Sequence, residues 1–373
     1  MLGEGGGNSV FEEAIRNFLG PILPLLQDEK ITEVMINGPK EIFVEIGGKI
    51  QKTDAQFDDE DSLQAAVVNI AQSVNRRIDD ENPRLDARLP NGYRIHAVIP
   101  PCARNGTTVA IRKFSAVQLT LKDLVKFGSM TVDVAQFLDI SMKLGKNILV
   151  SGGTGSGKTT LLSILCNRIP SGQRVIVIED ASELQIDYEH CVFFETRMAD
   201  ERGDGEVTMR DLLKSSLRLR PDRIIVGEVR GAEALELIQA MNTGHKGCLG
   251  TVHANSESDA MVRLEALAQG GDAKLSEKAL QYQVVGAIDL VVQISRFSDG
   301  SRKIAGVSEV VGFTPSGAYD VQPIYRMGRL KKRADGKLDG QLEPTGYIPG
   351  FMDEIEDNGI PFPASKFQKI SAA

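Results

Sequence analysis

The sequence predicts an α/β chain in which a domain built on a mainly parallel sheet follows a smaller α+β domain. Three observations predict it. From residue 132 to 267, strand-length apolar runs alternate with amphipathic helix-length runs, the rhythm that βαβ crossovers produce. The turn GGTGSGKT sits between the apolar strand ILV and a helical run. Between 20 and 115 the pattern is different, with short strands and turns around one helix.

The elements follow in order. Residues 1–9 are glycine-rich and residues 10–19 have helical spacing, so residues 1–20 form a glycine-rich start and a short helix. Strands are expected in ITEVMING, EIFVEIGGKI, RLDARLPNGYRIHAVIPP and TTVAIRKF, with Pro90, Asn91 and Gly92 as a hairpin turn. A helix over 61–77 places Leu63, Val67, Ile70 and Val74 on one face. Together these make 21–115 an α+β domain. Residues 116–130 form a linker with one short helix. Helices are then expected at 132–143, 158–168, 208–219, 232–243 and 256–267, and strands at 147–150, 174–179, 223–226 and 247–252. Further strands fall between 290 and 325, so the second domain covers 131–328. A tail, 329–373, opens on the basic residues Arg329, Lys331, Lys332 and Arg333 and shows no periodicity.

Length and composition narrow the function classes. A chain of 373 residues suits two domains, and 42% hydrophobic with 25% charged residues is ordinary globular usage. The net charge of -8 opposes non-specific binding to nucleic acid or anionic lipid over the whole surface. Four cysteines lie scattered with no CxxC pair, which fits a reducing compartment and offers no zinc framework. No signal-peptide pattern opens the chain, and the apolar run 284–294 is interrupted by Asp289 and too short for a bilayer. The expectation is a cytoplasmic protein that meets a membrane only through a partner.

The chemistry centres on Gly152-Gly153-Thr154-Gly155-Ser156-Gly157-Lys158-Thr159, a G-x-x-x-x-G-K-T match with a strand before it and a helix after it. Glycines let successive backbone N–H groups curl around phosphates, and the helix N-terminus favours negative charge there. Lys158 is the candidate for the β/γ oxygens and Thr159 for Mg²⁺, with Thr160 completing the cradle. The reading is specific for a nucleoside triphosphate and Mg²⁺ as cofactors. The alternative, a glycine-rich turn that happens to precede a lysine, leaves the flanking strand and helix unexplained.

Two apolar strands end in acids. The first, VIVIEDASEL, carries Glu179, Asp180 and Glu183; the second, RIIVGE, carries Glu228. A carboxylate at the carboxyl edge of such a sheet can orient or deprotonate a water. Acids after a strand are common in solvated loops, so it is the neighbouring P-loop strand that turns them into candidates. Gly227 stands where many nucleotide hydrolases place an Asp that holds Mg²⁺, leaving Glu228 and Thr159 as metal candidates. His245 and His253 fall in one segment, and His253 ends a strand, a place suited to sensing a γ-phosphate. Arg197, Arg202, Arg210, Arg218, Arg220 and Arg230 cluster between and just after the acidic strands, and Arg88, Arg94 and Arg112 lie in the first domain. An arginine can stabilise charge on a transferring phosphoryl group, although most arginines are surface or salt-bridge residues. Acids that orient water are superfluous in a pure ATP-binding scaffold, and a chain without tryptophan or basic–aromatic interleaving is unsuited to translocating nucleic acid.

With these residues assembled, the chain resembles the secretion-superfamily ATPases, and within them the CpaF/TadA-type motors of tight-adherence (Flp/Tad) pili. The likeness covers roughly residues 17–328. It rests on GPILPLLQDEKITEVMINGP, RLDARLPNGYRIHAVIPP, GGTGSGKTT, IEDASEL, RMADERGDGEVTMRDLLKSSLRLRPDRIIVGEVRGAEA and NTGHKGCLGTVHANS. The resemblance implies a RecA-like ATPase domain behind a PAS-like first domain, assembled as a homo-hexamer with ATP between the domains and a neighbouring subunit contributing. It implies Glu183 as the water-activating base, Glu179 and Asp180 in support, Glu228 as the Walker B glutamate and His253 in the His box. Arg88, Arg94 and Arg112, with Arg197 and Arg210, become candidates for approaching the nucleotide. It implies inner-membrane platform partners of the CpaG/CpaH or TadB/TadC type and a motor for pilus assembly, with retraction also open. Conjugative export of DNA or effectors is the rival within the same superfamily. The tetracysteine module of some relatives is missing, which points to the CpaF-like branch.

Overall fold

A computed structural model describes residues 19–74, 76–89, 91–113, 118–199, 203–271 and 275–369. The helix expected from residue 10, the turn residue Pro90 and Arg202 fall outside these ranges, the helix except for Leu19. The chain forms two compact units, Met1–Val117 and Gln118–Ala373.

The first unit is an antiparallel sheet of six strands: β1 (Ile31–Asn37), β2 (Ile42–Ile46), β3 (Lys49–Lys52), β4 (Arg84–Arg88), β5 (Arg94–Val98) and β6 (Thr108–Arg112). Their order is β3-β2-β1-β6-β5-β4. Among the described residues, two α-helices precede and interrupt it, α1 (Leu23–Gln27) and α2 (Glu60–Ser73). Helix α2 starts at a capping box in which Asp59 accepts from the Ser62 N–H and Ser62 returns the bond, satisfying two orphan donors. Its buried Leu63, Ala66, Val67, Ile70 and Ala71 form one stripe. The sequence extended it to 77, but the Arg76 N–H turns back to the Ala71 carbonyl at 2.8 Å and ends it. The predicted hairpin joins β4 to β5, with the Leu89 N–H on the Tyr93 carbonyl at 2.7 Å. Its register has a consequence for charge. Arg88 stands opposite Arg94, and Arg94 opposite Arg112, so three arginines form one row across β4, β5 and β6.

The second unit holds β7 (Ile148–Gly152), β8 (Val175–Glu179), β9 (Cys191–Glu195), β10 (Arg223–Val229), β11 (Leu249–Val252), β12 (Leu290–Arg296), β13 (Arg302–Phe313), β14 (Tyr319–Met327), the two-residue strands β15 (Lys331–Lys332) and β16 (Leu338–Asp339), and β17 (Leu342–Pro344). Nine of them form one sheet in the order β17-β14-β13-β12-β7-β11-β10-β8-β9. Pairing is parallel from β12 to β9 and antiparallel from β12 to β17. The parallel strands are apolar on both faces because helices cover both. In β8, Val175 and Val177 enter one core while Ile176 and Ile178 enter the other, and in β7 Ile148 and Val150 oppose Leu149 in the same way. The helices are α3 (Leu121–Lys126), α4 (Val132–Lys143), α5 (Lys158–Cys166), α6 (Met209–Ser216), α7 (Glu233–Asn242), α8 (Glu257–Gln269), α9 (Glu277–Ala287) and α10 (Met352–Asp357).

Two boundaries differ from the sequence reading. Leu121 and Leu124 of the expected linker belong to the second unit's core. So does the tail: Phe351, Met352, Ile355, Phe362 and Phe367 pack with Phe137 of α4 and Tyr325 of β14. The apolar run 284–294 divides at Asp289, which accepts the Asn147 N–H at 2.7 Å between the end of α9 and the start of β12. Among the described residues no helix is long and apolar enough to cross a membrane.

Candidate nucleotide site

Strand β7 delivers the chain into the glycine-rich turn at the carboxyl edge of the sheet. Gly152 must be glycine because a Cβ there would lie 2.3 Å from the Ile294 carbonyl oxygen of the adjacent β12. Gly155 and Gly157 take φ of +67° and +99°, conformations that side chains resist. The buried Ser156 closes the turn, its hydroxyl donating to the Gly153 carbonyl at 2.8 Å. Gly157 is the N-cap of α5 and brings no capping side chain, so the first N–H groups of that helix face the loop as an anion cradle. Lys158 lies across the turn, donating to the carbonyls of Gly152 at 3.0 Å and Gly153 at 3.2 Å. Thr159 and Thr160 follow in the first turn of α5.

Sheet order carries both acidic strands to the β11 side of β7, β10 nearer and β8 beyond it. Strand β10 is two places from β7, with only β11 between them. Its pairing with β11 shifts register between Val226 and Val229, a local irregularity of the kind that re-aims side chains next to active sites. The Thr251 hydroxyl donates to the Gly227 carbonyl at 2.7 Å and fixes this bend. Glu228 then sits with one carboxylate oxygen 3.9 Å from Lys158 Nζ and the other accepting from Arg230 Nε at 2.8 Å. Arg230 reaches Asp180 as well, at 3.5 Å, and so links the ends of the two acidic strands.

Glu179 has a different place from its neighbours. It is buried and accepts the N–H groups of Glu183 at 2.9 Å and Leu184 at 3.0 Å. Burial is the main cause that pushes its carboxyl up to about 7, against those two hydrogen bonds, which lower it. Its side chain also explains the missing Asp at 227: a Cβ on Gly227 would come 2.9 Å from Glu179 Cγ. Glu183 lies in a loop tied back onto α5, where Ser163 accepts the Gln185 N–H at 3.2 Å and Asn167 accepts the Asp187 N–H at 2.9 Å.

The histidines separate. His245 holds the end of α7 through the Ala240 carbonyl at 3.1 Å. His253 follows Val252, which pairs with Ser151 of β7 and Val229 of β10, so it leaves the sheet between the glycine-rich turn and the Glu228 strand. Of the arginines, Arg210 is engaged by the buried Glu236 of α7 at 2.7 Å, and Arg197 is exposed and bonded to the Gly205 carbonyl. Arg88, Arg94 and Arg112 belong to the other unit, where Arg94 pairs with Asp86 at 3.1 Å.

Two arginines that sequence reasoning passed over stand against the turn. Arg302 Nε donates to the Gly155 carbonyl at 2.9 Å, and a Cβ on Gly155 would lie 3.5 Å from an Arg296 guanidinium nitrogen. The signal was present as the Asp299-Gly300 turn between a strand-like run that ends in Arg296 and one that opens on Arg302. Only the pairing of β12 with β7 reveals where that turn lands.

Metal fit can be judged from the donor set. No group of three or more His, Cys, Asp or Glu gathers as metal ligands among the described residues. A Thr159 hydroxyl and a Glu228 carboxylate at a phosphate cradle suit Mg²⁺, which takes one or two protein ligands and completes its shell with phosphate and water. Zinc would require a dedicated cage.

Residues 16–330 match the family model described as type II/IV secretion system protein. A putative conjugal transfer protein of Mycobacterium tuberculosis is 36% identical over 296 residues, 78% of this chain and 83% of that protein. The type IV secretion system protein VirB11 of Bartonella quintana is 32% identical over 78% of this chain and 91% of its own. Among solved structures, the pilus retraction motor PilT with bound ADP is 19% identical, covering 93% of this chain and 89% of PilT, with a TM-score of 0.57. That likeness shows the fold, a RecA-like domain preceded by an N-terminal domain.

Proposed function

Because the chain belongs to the type II/IV secretion system protein family, we propose that it is a Mg²⁺-dependent ATPase, a hexameric motor that powers a Flp/Tad-type pilus at the inner membrane. The observation that carries the reading is the approach of Lys158 to Glu228 at 3.9 Å over a glycine cradle. A phosphate-binding cation and a water-handling acid then face one small volume. Backbone N–H groups of residues 153–159 hold the phosphates, Lys158 turns from the loop carbonyls to the β/γ oxygens, and Thr159 with Glu228 would hold Mg²⁺, which would supply charge neutralisation to the phosphate oxygens. Glu183 takes the proton of the attacking water, Glu179 fixes the Glu183 backbone, Asp180 and Arg230 steady Glu228, and His253 reads the γ-phosphate. The arginine row of Arg88, Arg94 and Arg112, together with Arg197 and Arg210, supplies candidates for charge stabilisation in the assembled ring.

Steady-state phosphate release tests this. Lys158→Ala is expected to lose at least about 100-fold in turnover. Glu183→Gln and Glu228→Gln should still bind ATP and turn over about 100- to 10,000-fold more slowly. Wild type releasing no more phosphate than Lys158→Ala would end the enzymatic reading, and near-normal turnover in both glutamine variants would remove the proton-acceptor assignment.

The motor's partners would be inner-membrane platform proteins of the CpaG/CpaH or TadB/TadC type. The RMADERGDGEVTMRDLL segment and the missing tetracysteine module support the pilus assignment. A second reading, a conjugative or type IV secretion ATPase, is favoured by the names of the Mycobacterium and Bartonella relatives. Deleting the gene separates them: loss of surface pili supports the first, and intact pili with lost export of DNA or effectors supports the second.

A further inference from the structure

We propose that Arg296 and Arg302 form a cationic lip of the phosphate cradle and bind the polyphosphate tail of the nucleotide held by the same chain. The proposal deepens the ATPase reading and rests on it. Strand β12 runs parallel to β7 with Ile294 opposite Gly152, so β12 continues past the start of the glycine-rich turn by two residues, Ser295 and Arg296. The chain reverses through Phe297–Ser301, where the Phe297 N–H meets the Ser301 carbonyl at 2.8 Å. It returns as β13 with Arg302 directly opposite Arg296. Both guanidinium groups thereby lie against Gly155 of the turn. Arg302 lays one edge on the Gly155 carbonyl at 2.9 Å, and its Cδ would sit 3.5 Å from a Cβ on Gly157. Arg296 flanks Gly155.

Lys158 adds a third cationic side chain, laid across the same turn on the Gly152 and Gly153 carbonyls. An anion with two or three phosphates is the ligand that three converging cations suit, because guanidinium groups bond phosphate oxygens in pairs.

The hairpin is also held rigidly enough to present them. Asp299 accepts from the Ser301 N–H at 3.0 Å and its hydroxyl at 2.6 Å, and its second oxygen accepts the Leu338 N–H of β16 at 2.7 Å. These bonds hold the Asp299 carboxyl down at about 2, the Ser301 hydroxyl first among the causes. Pre-placed donors lose little conformational freedom when an anion arrives.

Affinities of the full-length chain for ATP, ADP and AMP, measured by competition with a fluorescent ADP analogue in Mg²⁺, test the proposal. The variant Arg296→Ala/Arg302→Ala is expected to lose about 10- to 100-fold for ATP and ADP and to stay within about two-fold for AMP. Arg296→Lys/Arg302→Lys should recover part of the loss. Unchanged ATP affinity overturns the proposal. So does an equal loss for all three nucleotides, and so does a lowered melting temperature without nucleotide that the lysine pair fails to restore, since either marks a mere prop for the loop. Lys158→Ala in parallel keeps the two readings apart: wild type binding ATP no better than that variant would fail the ATPase reading itself.

Discussion

Gly227 and Glu179 share one space, and that pair shows how a missing residue can be read. A methyl group at 227 would press on the middle of a buried side chain, 2.9 Å from Glu179 Cγ, where there is no solvent-facing end to swing aside. Gly227→Ala should therefore push Glu179 off the Glu183 and Leu184 N–H groups, cost about 1–3 kcal/mol and depress turnover. Thermal melting and phosphate release read the two effects. Glu179 itself carries a pH signature. Its folded pKa, raised to about 7 chiefly by burial, exceeds the ordinary carboxylate value. The folded state thus binds the proton more tightly, and the contribution is complete below about pH 4.5 and lost as pH rises through about 7. Glu179→Gln keeps an oxygen to accept both N–H groups and has no proton to lose. Relative to the variant, wild type should weaken by up to about 3 kcal/mol between pH 5 and 8. Denaturant midpoints that stay parallel across that range would refute the buried-acid account.

At the scale of elements, the tail and the β12–β13 hairpin are where the sequence said least. The glycine-rich turn and the acids ending β8 and β10 were legible because each is a local motif, with strand, turn and helix contiguous in the chain. Arg296 and Arg302 are not local to anything they serve; strand register alone brings them to Gly155. The order of 342–369 was hidden for a related reason. Phe351, Phe362 and Phe367 follow no helical or strand period, and their partners Phe137 and Tyr325 lie far back in the sequence. Phe367 packs edge-on against Phe137 with ring centroids 5.5 Å apart and contacts Tyr325 at 5.8 Å. Phe367→Ala is expected to cost about 3–5 kcal/mol, the range for a fully buried aromatic. Only the second unit's unfolding should move. Equal midpoints for wild type and variant in a denaturant titration would mean the tail is an appendage after all.

For the whole molecule, the open matter is whether one chain makes a working site. The second unit carries the turn, Lys158 and Glu228, 3.9 Å apart, and the loop of Glu183 bonded to Glu179, so nucleotide binding is expected of a single chain. Charge stabilisation is another matter. The three arginines aligned across β4, β5 and β6 lie in the first unit, and a closed homo-oligomer is the ordinary way for an identical chain to lend a group to its neighbour's site. Turnover per chain should accordingly rise steeply with protein concentration, while affinity for a non-hydrolysable ATP analogue stays flat. Adding inactive Lys158→Ala chains to wild type at constant total concentration gives the sharper reading. If subunits fire as a ring, turnover falls much more steeply than the wild-type fraction, because each dead member disables its neighbours. Strict proportionality to that fraction, with particles of six chains visible in nucleotide, would mean that the ring forms but its subunits act alone, and the motor reading would lose its coupling.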